Sequence, residues 1–567
     1  MTQVPTRRRI GTGDLGAIAI LGILGVGVPL LFAAAAGSVG LPSIDDWVYM
    51  RAAGSLLRTG VIDMPGHTAA SIGQVVLVQP LLWLSGGEPW AFTAFGLVMT
   101  LIGIVSTYLL ARCFVGTYSA ALVVTLVEVF PGFGRESASF MTDVPGYALA
   151  VLCLLLGIRW LQGERTRVTL AASLAVGLLA VSVREFAIAA PAAILLAAWA
   201  RSRASERVWL ATLSCILIAG VAVVLTVATS IPGYGGPPAP VDLRRSAILG
   251  AALATLAAVL LPATALGIGR RVATLNPKHL ILGAALGCWM AALPIDLLAG
   301  NLWMPNGLAG DVLLSGFRDP VVAPEVWVLS RQLAFFAAIL AATLGVRWAQ
   351  ERFARPNSMT TVSKAAIRFA RTKEAPLVLF LVCYFAELVA FASVGTMIDR
   401  YLYPMVPAAA ILLLRGSHQH LSFDRSQAFS HGALVWLAAW AFAIAANSFA
   451  YDAARYRAGV AAVSMGYDAN TVDAGYEWVG YHGNGVNKPG SAKHNLTWYD
   501  DYWPSFRPCA VVSNNALDSG AFRLVSVDRS SYLQYLFFGP AEPLYLYGAV
   551  DSGCPPLPGA LAVAPAP

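Results

Sequence analysis

Two adjacent carboxylates, Asp45 and Asp46, follow directly on the first long apolar segment, in the stretch Pro42-Ser43-Ile44-Asp45-Asp46-Trp47-Val48-Tyr49-Met50-Arg51. Where a chain leaves the membrane, an acid is solvated by water yet lies within reach of lipid headgroups and lipid-borne substrates. Ionisable residues at that depth mark functional sites by default. The competing reading is local: Asp45 caps a helix starting at Asp46, since acidic side chains suit a helix N-terminus. Three more charged features recur beside apolar runs, namely Asp143, Arg184 with Glu185, and Asp399-Arg400-Tyr401. A carboxylate can take the proton of an attacking hydroxyl, and a guanidinium fork matches phosphate oxygens. The set suits one reaction: an acceptor hydroxyl attacks a sugar carried on a polyprenyl phosphate, and the lipid phosphate leaves. Each group also has a plainer reading. Arg184-Glu185 could be a solvated hairpin tip, Asp143 a helix cap, and Arg400 an interfacial anchor beside Tyr401 and Tyr403. Asp311 and Asp319 read as solvated loop charges, and His67 as a loop residue.

These groups need elements to position them, and the composition says which. The chain has 567 residues, 57% of them hydrophobic and only 12% charged, against about 25% charged in soluble domains. Apolar runs of near-spanning length recur along most of it, as a polytopic membrane protein requires. The expected spans are 14–36, 90–111, 116–133, 144–159, 168–183, 186–200, 208–229, 246–268, 279–299, 326–346, 375–397, 402–414 and 429–448, about thirteen in all. Residues 46–58 read as an amphipathic interfacial helix, with Trp47 and Tyr49 as interfacial aromatics. Residues 72–86, apolar but short and interrupted by Pro80, read as re-entrant or interfacial. The first apolar run is too long for a signal h-region and is expected to stay as a span.

Arg7, Arg8 and Arg9 precede the first span, and Lys and Arg cluster in alternate loops, above all 347–373. By the positive-inside rule the N-terminus is cytoplasmic, and all four charged features fall on the outer side. The net charge of +7 therefore reflects topology, and no nucleic acid partner is expected.

Residues 449–567 are of another character, rich in Tyr, Trp, Gly, Asn and Asp and without a spanning run. They are expected to form a small extracytoplasmic α/β domain, with residues 451–465 helical and strands near 509–513, 522–527 and 544–547. The Pro/Ala-rich tail from Pro555 reads as disordered. The fold class is thus mostly α: a transmembrane helical bundle over residues 1–448 and a C-terminal domain over 449–567. Five of the seven cysteines lie in or beside spans and read as small hydrophobes. The other two, Cys509 and Cys554, are in the outer domain, where an oxidising compartment favours a disulfide.

No His/Cys/Asp cluster has metal spacing, and no Gly-rich loop or dinucleotide fingerprint is present. No firm cofactor is expected. The paired carboxylates could hold a divalent cation, although no third ligand is evident. The lack of a nucleotide fold favours a lipid-linked donor.

Several of these segments resemble a known superfamily. Ile44-Asp45-Asp46-Trp47-Val48-Tyr49 after the first span resembles the first outer loop of the GT-C integral-membrane glycosyltransferases, with the protein O-mannosyltransferases and the aminoarabinose transferases of lipid A as nearest analogues. Phe140-Met141-Thr142-Asp143-Val144-Pro145 resembles their second acidic motif. Asp399-Arg400-Tyr401-Leu402-Tyr403-Pro404 resembles the Arg-Tyr-Leu-x-Pro start of a late span, and Asp473-Ala474-Gly475-Tyr476-Glu477-Trp478-Val479-Gly480 a segment in the outer domain of bacterial relatives. The resemblance implies inverting transfer from a polyprenyl-phosphate sugar to a glycan, lipid or protein acceptor at the outer face of the cytoplasmic membrane. It makes Asp45 the candidate base, Asp143 the second acidic residue, and Arg400 and Arg184 the phosphate ligands. Asp46 stands where many members have Glu, which leaves open which of the pair is the base. The His-Pro-Pro-like segment before the second span is missing, and Gln79-Pro80 is its nearest match. Arg and Ala richness points to a high-GC bacterium and hence a decaprenyl or undecaprenyl carrier. A flippase for a lipid-linked sugar and a glycan-binding membrane scaffold are the alternative readings. A flippase would place its polar residues near the midplane, in repeated halves.

Overall fold

A computed structural model describes residues 11–43, 45–64, 70–163, 166–231, 246–269, 276–292, 324–353, 369–394, 399–415, 425–483, 506–517, 520–534, 539–550 and 553–554. Ile44, His67, Asp311, Asp319 and the tail from Pro555 lie outside them.

The chain is a multi-pass helical membrane protein. Among the described residues, five helices are long and apolar enough to cross a bilayer: Thr12–Ala36, Trp90–Arg112, Asp143–Leu161, Ala204–Ser230 and Arg425–Ser464. Shorter apolar helices, among them Thr117–Glu128, Arg167–Val183 and Met405–Leu414, coincide with other expected spans. They are shorter than the roughly 20 residues typical of a spanning helix. The expected span 246–268 is divided into Ser246–Val259 and Leu261–Gly269.

The first span is moored at its start by a buried carboxylate. Asp14 accepts from the Tyr108 hydroxyl at 2.6 Å and from Arg112 Nε at 2.8 Å, which satisfies an acid that could not otherwise be buried. The span ends at Gly37, whose φ of 77° breaks the helix. The chain then enters the amphipathic helix Asp46–Thr59, closed by Gly60 at φ 72°. Its apolar face, with Trp47, Val48, Met50, Ala52 and Ala53, is buried. Residues 72–85 form two short helices, Ile72–Leu77 and Gln79–Ser85. Pro80, which has no N–H to donate, sits in the first turn of the second. Gln74 and Gln79 tie this pair down by donating to the carbonyls of Phe140 (2.6 Å) and Ala53 (3.2 Å).

Aromatic packing fixes the segment between the third and fourth apolar helices. Phe140 packs on Phe92 and Phe95, with ring centroids 4.8 and 5.5 Å apart. Phe130 and Phe133 pack on Tyr403 at 4.5 and 5.6 Å. All three phenylalanines are fully buried, each contributing about 1.5–3 kcal/mol. The short helix Phe133–Ser137, which carries Glu136, and the start of the helix that carries Asp143 are therefore held against the segment around Arg400.

The last apolar helix does not stop at 448. It runs unbroken for 40 residues from Arg425 to Ser464, about 60 Å at 1.5 Å per residue. The expected domain boundary at 448 falls inside it, and its C-terminal half packs with the C-terminal sheet region. That region is a four-stranded sheet of order β1-β2-β4-β3, made of β1 (Val472–Asp473), β2 (Ala510–Ser513), β3 (Phe522–Leu533) and β4 (Ala541–Ala549). β1 and β2 are parallel, and the other pairings are antiparallel. A disulfide joins Cys509, just before β2, to Cys554.

Candidate active site

One guanidinium brings three loops together. Arg400 lies in the short turn Asp399–Leu402 before the helix Met405–Leu414. Its Nη2 is 3.4 Å from Asp45 Oδ2, its Nε is 3.5 Å from Asp143 Oδ2, and its Nη1 is 3.7 Å from Glu136 Oε1. Arg184, at the end of the helix Arg167–Val183, joins from a fourth element. Its Nη2 is 3.3 Å from Asp143 Oδ1, and its Nη1 donates to Thr142 Oγ1 at 3.0 Å. Asp143 is thus shared by both arginines, one on each carboxylate oxygen. Gly146, one turn on from Asp143 in the helix Asp143–Leu161, leaves room for the Arg184 stem, since a Cβ there would meet Arg184 Cβ at 2.8 Å.

Burial alone would lower the Arg400 and Arg184 pKa values. The acidic and phenolic groups around them, Asp143 foremost for both, together outweigh it, so both are held above the usual guanidinium range and stay charged. Tyr401 supports both cations with its ring, 4.6 Å from Arg184 Cζ and 5.9 Å from Arg400 Cζ. Tyr401 itself is buried, and its carbonyl accepts from Tyr384 at 2.7 Å. A small cavity beside the arginines is lined by Asp143, Arg184, Arg400, the small residues Gly146, Ala150 and Ala187, and the aromatics Tyr147, Phe186 and Tyr384.

The two acids of the opening pair part company. The Asp45 side chain does not cap the helix that follows it. It faces Arg400 and is 34% exposed, whereas the Glu136 and Asp143 side chains are 2% and 3% exposed. Asp46 is buried and accepts two backbone amides, from Ser43 at 2.5 Å and Phe140 at 3.2 Å. Burial pushes its carboxyl well above the ordinary aspartate value despite those two donors. Asp46 thus ties the first loop to the Phe140 loop, and Asp45 leaves its carboxylate a third exposed. Glu185 points away from the cluster and accepts the Ala70 amide at 2.6 Å.

A second ionic group lies alongside. Arg135 donates through Nε to Ser43 Oγ at 3.0 Å and pairs with Asp452 at 2.8 Å, while Ser43 Oγ donates to Asp452 at 3.1 Å. Arg455 pairs with Glu477 and donates to Tyr451 at 3.1 Å. Arg51 donates to the carbonyls of Gly480 and Gly483, both at 2.8 Å. The long helix and the segment after β1 are thereby fastened to the loop that bears Asp45.

Sequence reasoning placed Asp45, Asp46, Asp143, Arg184, Glu185, Arg400 and Tyr401 together; the structure gathers five of these seven and turns Asp46 and Glu185 onto backbone amides instead. It passed over Glu136, Arg135 and Asp452. The signal available for the first two was an Arg-Glu pair in a short loop between apolar runs. Among the described residues, no group of three or more His, Cys, Asp or Glu side chains is arranged to hold a metal ion.

Residues 77–231 match the family model described as dolichyl-phosphate-mannose-protein mannosyltransferase. That stretch includes Glu136, Asp143 and Arg184 and bears out the resemblance to the GT-C membrane glycosyltransferases. No curated protein matches the chain. Among solved structures, ArnT from Cupriavidus metallidurans bound to undecaprenyl phosphate is similar at 12% identity and a TM-score of 0.40, over 94% of this chain and 99% of that one. The oligosaccharyltransferase AglB from Archaeoglobus fulgidus, in complex with an inhibitory peptide and a dolichol-phosphate, is similar at 12% identity and a TM-score of 0.36, over 88% of this chain and 69% of that one. Likenesses this slight carry no inference about this chain.

Proposed function

We propose that this protein transfers a sugar, with inversion, from a polyprenyl-phosphate carrier to an acceptor hydroxyl at the outer face of the cytoplasmic membrane. The observation that carries the reading is the gathering of Asp45, Asp143 and Glu136 around Arg400, with Arg184 on the far side of Asp143. Asp45 is the general base. It is the carboxylate of the cluster with access to water, and so the one an incoming hydroxyl can reach. Arg400 and Arg184 take the phosphate that leaves, through charge-assisted hydrogen bonds. They line a small cavity beside Asp143, next to which the donor phosphate is taken to sit. Asp143 aligns the two guanidiniums, Tyr401 braces them, and Asp46 holds the first loop in place.

The test is transfer from a panel of synthetic polyprenyl-phosphate sugars by purified wild type and the Asp45→Asn variant, with membrane extract as acceptor. One donor consumed by wild type and spared by a folded Asp45→Asn variant supports the reading and names the sugar. Unimpaired turnover by Asp45→Asn sinks the assignment of the base. Transport of an intact lipid-linked sugar without cleavage sinks the transferase reading altogether.

A further inference from the structure

Glu136 has no role in the chemistry proposed above, yet its carboxylate is buried 3.7 Å from Arg400 Nη1. With Asp45 at Nη2 and Asp143 at Nε, each nitrogen of one guanidinium faces a different acid. A phosphate oxygen takes a guanidinium N–H as a carboxylate oxygen does, so the acid at the nitrogen it engages has to yield when the donor arrives. A carboxylate that loses its partner needs water, because an unpaired charge left buried is strongly unfavourable. Glu136 and Asp143 have almost no access to water, whereas Asp45 is 34% exposed. Asp45 is therefore the group that leaves.

Its departure cuts the tie between Arg400 and the first loop. Asp143 remains, but it is shared with Arg184. Glu136 remains on a firmer base: its neighbour Arg135 is clamped to Ser43 and Asp452, and Phe133 on the same short helix is buried against Tyr403.

We propose that Glu136 is a positioning residue that holds the Arg400 guanidinium in place while the donor's phosphate replaces Asp45, the exchange freeing Asp45 for the acceptor hydroxyl. The proposal rests on the reading of the site given above. It makes the order of events donor first, acceptor second.

The experiment uses full-length Glu136→Gln and Glu136→Asp. It reads the affinity for undecaprenyl phosphate as the probe, and the kcat with the donor that the panel identifies. Glu136→Gln removes one negative charge beside the phosphate site but loosens Arg400. The lipid phosphate should bind about tenfold more tightly while kcat falls by roughly tenfold or more. Glu136→Asp keeps the charge and should return the affinity to wild type with partial recovery of kcat. A parallel loss of affinity, kcat and thermal stability in both variants marks a merely structural residue and overturns the proposal. Arg400→Gln separates the two levels. If it binds undecaprenyl phosphate as wild type does, the phosphate site fails and the proposal with it. If it weakens binding while Glu136→Gln changes neither readout, only the role of Glu136 fails.

Discussion

The two ionic groups beside the first loop are built from the same parts and differ in how they are closed. Around Arg400, three carboxylates stand 3.4–3.7 Å from one guanidinium, one of them is a third exposed, and a small cavity lies beside it. Around Arg135, one carboxylate and one hydroxyl bind at 2.8–3.0 Å, and the side chains on both sides are about a tenth exposed or less. Short, complete, dry bonding has no vacancy for a ligand. Longer contacts with a surplus of acid over base, one acid wet, leave room for exchange. Charge type does not separate a structural lattice from a reactive cluster. Stoichiometry, distance and access to water do.

The largest test of this contrast is chemical. Asp45→Asn should lower turnover by about 10²–10⁴-fold, the usual contribution of a general base, with no drop in melting temperature, because the side chain is part-exposed and its partner keeps two other acids. Near-normal turnover would place Asp45 with the structural residues. Breaking the other group should do the reverse. Arg135→Leu leaves Asp452 buried and unpaired, which costs about 3–5 kcal/mol, and should show as a lower melting temperature in detergent. Adding Asp452→Leu should recover much of that loss, since buried ion pairs are often replaceable by apolar packing. If the double variant is as unstable as the single, the lattice is more than an ion pair.

Asp46 sharpens the comparison within a single dipeptide. Asp46→Asn keeps one carbonyl acceptor but turns an amide N–H₂ toward one of the two backbone donors. An unsatisfied buried donor costs about 1–3 kcal/mol, so stability should fall by that much, with turnover down by less than in Asp45→Asn. Equal losses of turnover in the two variants would mean that the pair acts as a unit.

Much of the site was legible because charge is rare in this chain. Asp45, Asp143, Arg184 and Arg400 each interrupt an apolar run, and sidedness put them at one depth. What could not be read was which acid of a pair turns outward. Asp45 and Asp46 differ by one position on a helix start, and the Phe140 amide, 94 residues away, joins the local Ser43 amide in holding Asp46 inside. Glu136 and Arg135 were hidden by resembling a solvated loop. Asp452 was hidden by a change of composition near 449, which looked like a domain border. A helix is continued by i to i−4 bonding and not by hydropathy, and no proline interrupts residues 425–464. The strands β2, β3 and β4 showed in their β-branched and aromatic content, while β1, two residues long, leaves no pattern to find.

The smallest expected effect lies farthest from the chemistry. Asp473, on β1, is pushed by burial up to about 7, against the Gly475 amide and the Arg455 charge, which both pull it down. A carboxyl whose folded pKa is raised binds a proton more tightly folded than unfolded. Its contribution to stability is therefore whole at low pH, declines as pH rises from about 4 toward 7, and is flat beyond that. Asp46 shifts in the same direction, so the sign for this face of the molecule is common to both. Melting temperature should fall between pH 5 and pH 8, and Asp473→Asn should flatten part of that fall while leaving turnover untouched. A profile that rises over the same interval would mean that the ionised forms are the ones the fold selects. The dry side of the comparison would then be held by charge, and its closure would no longer distinguish it from the Arg400 cluster.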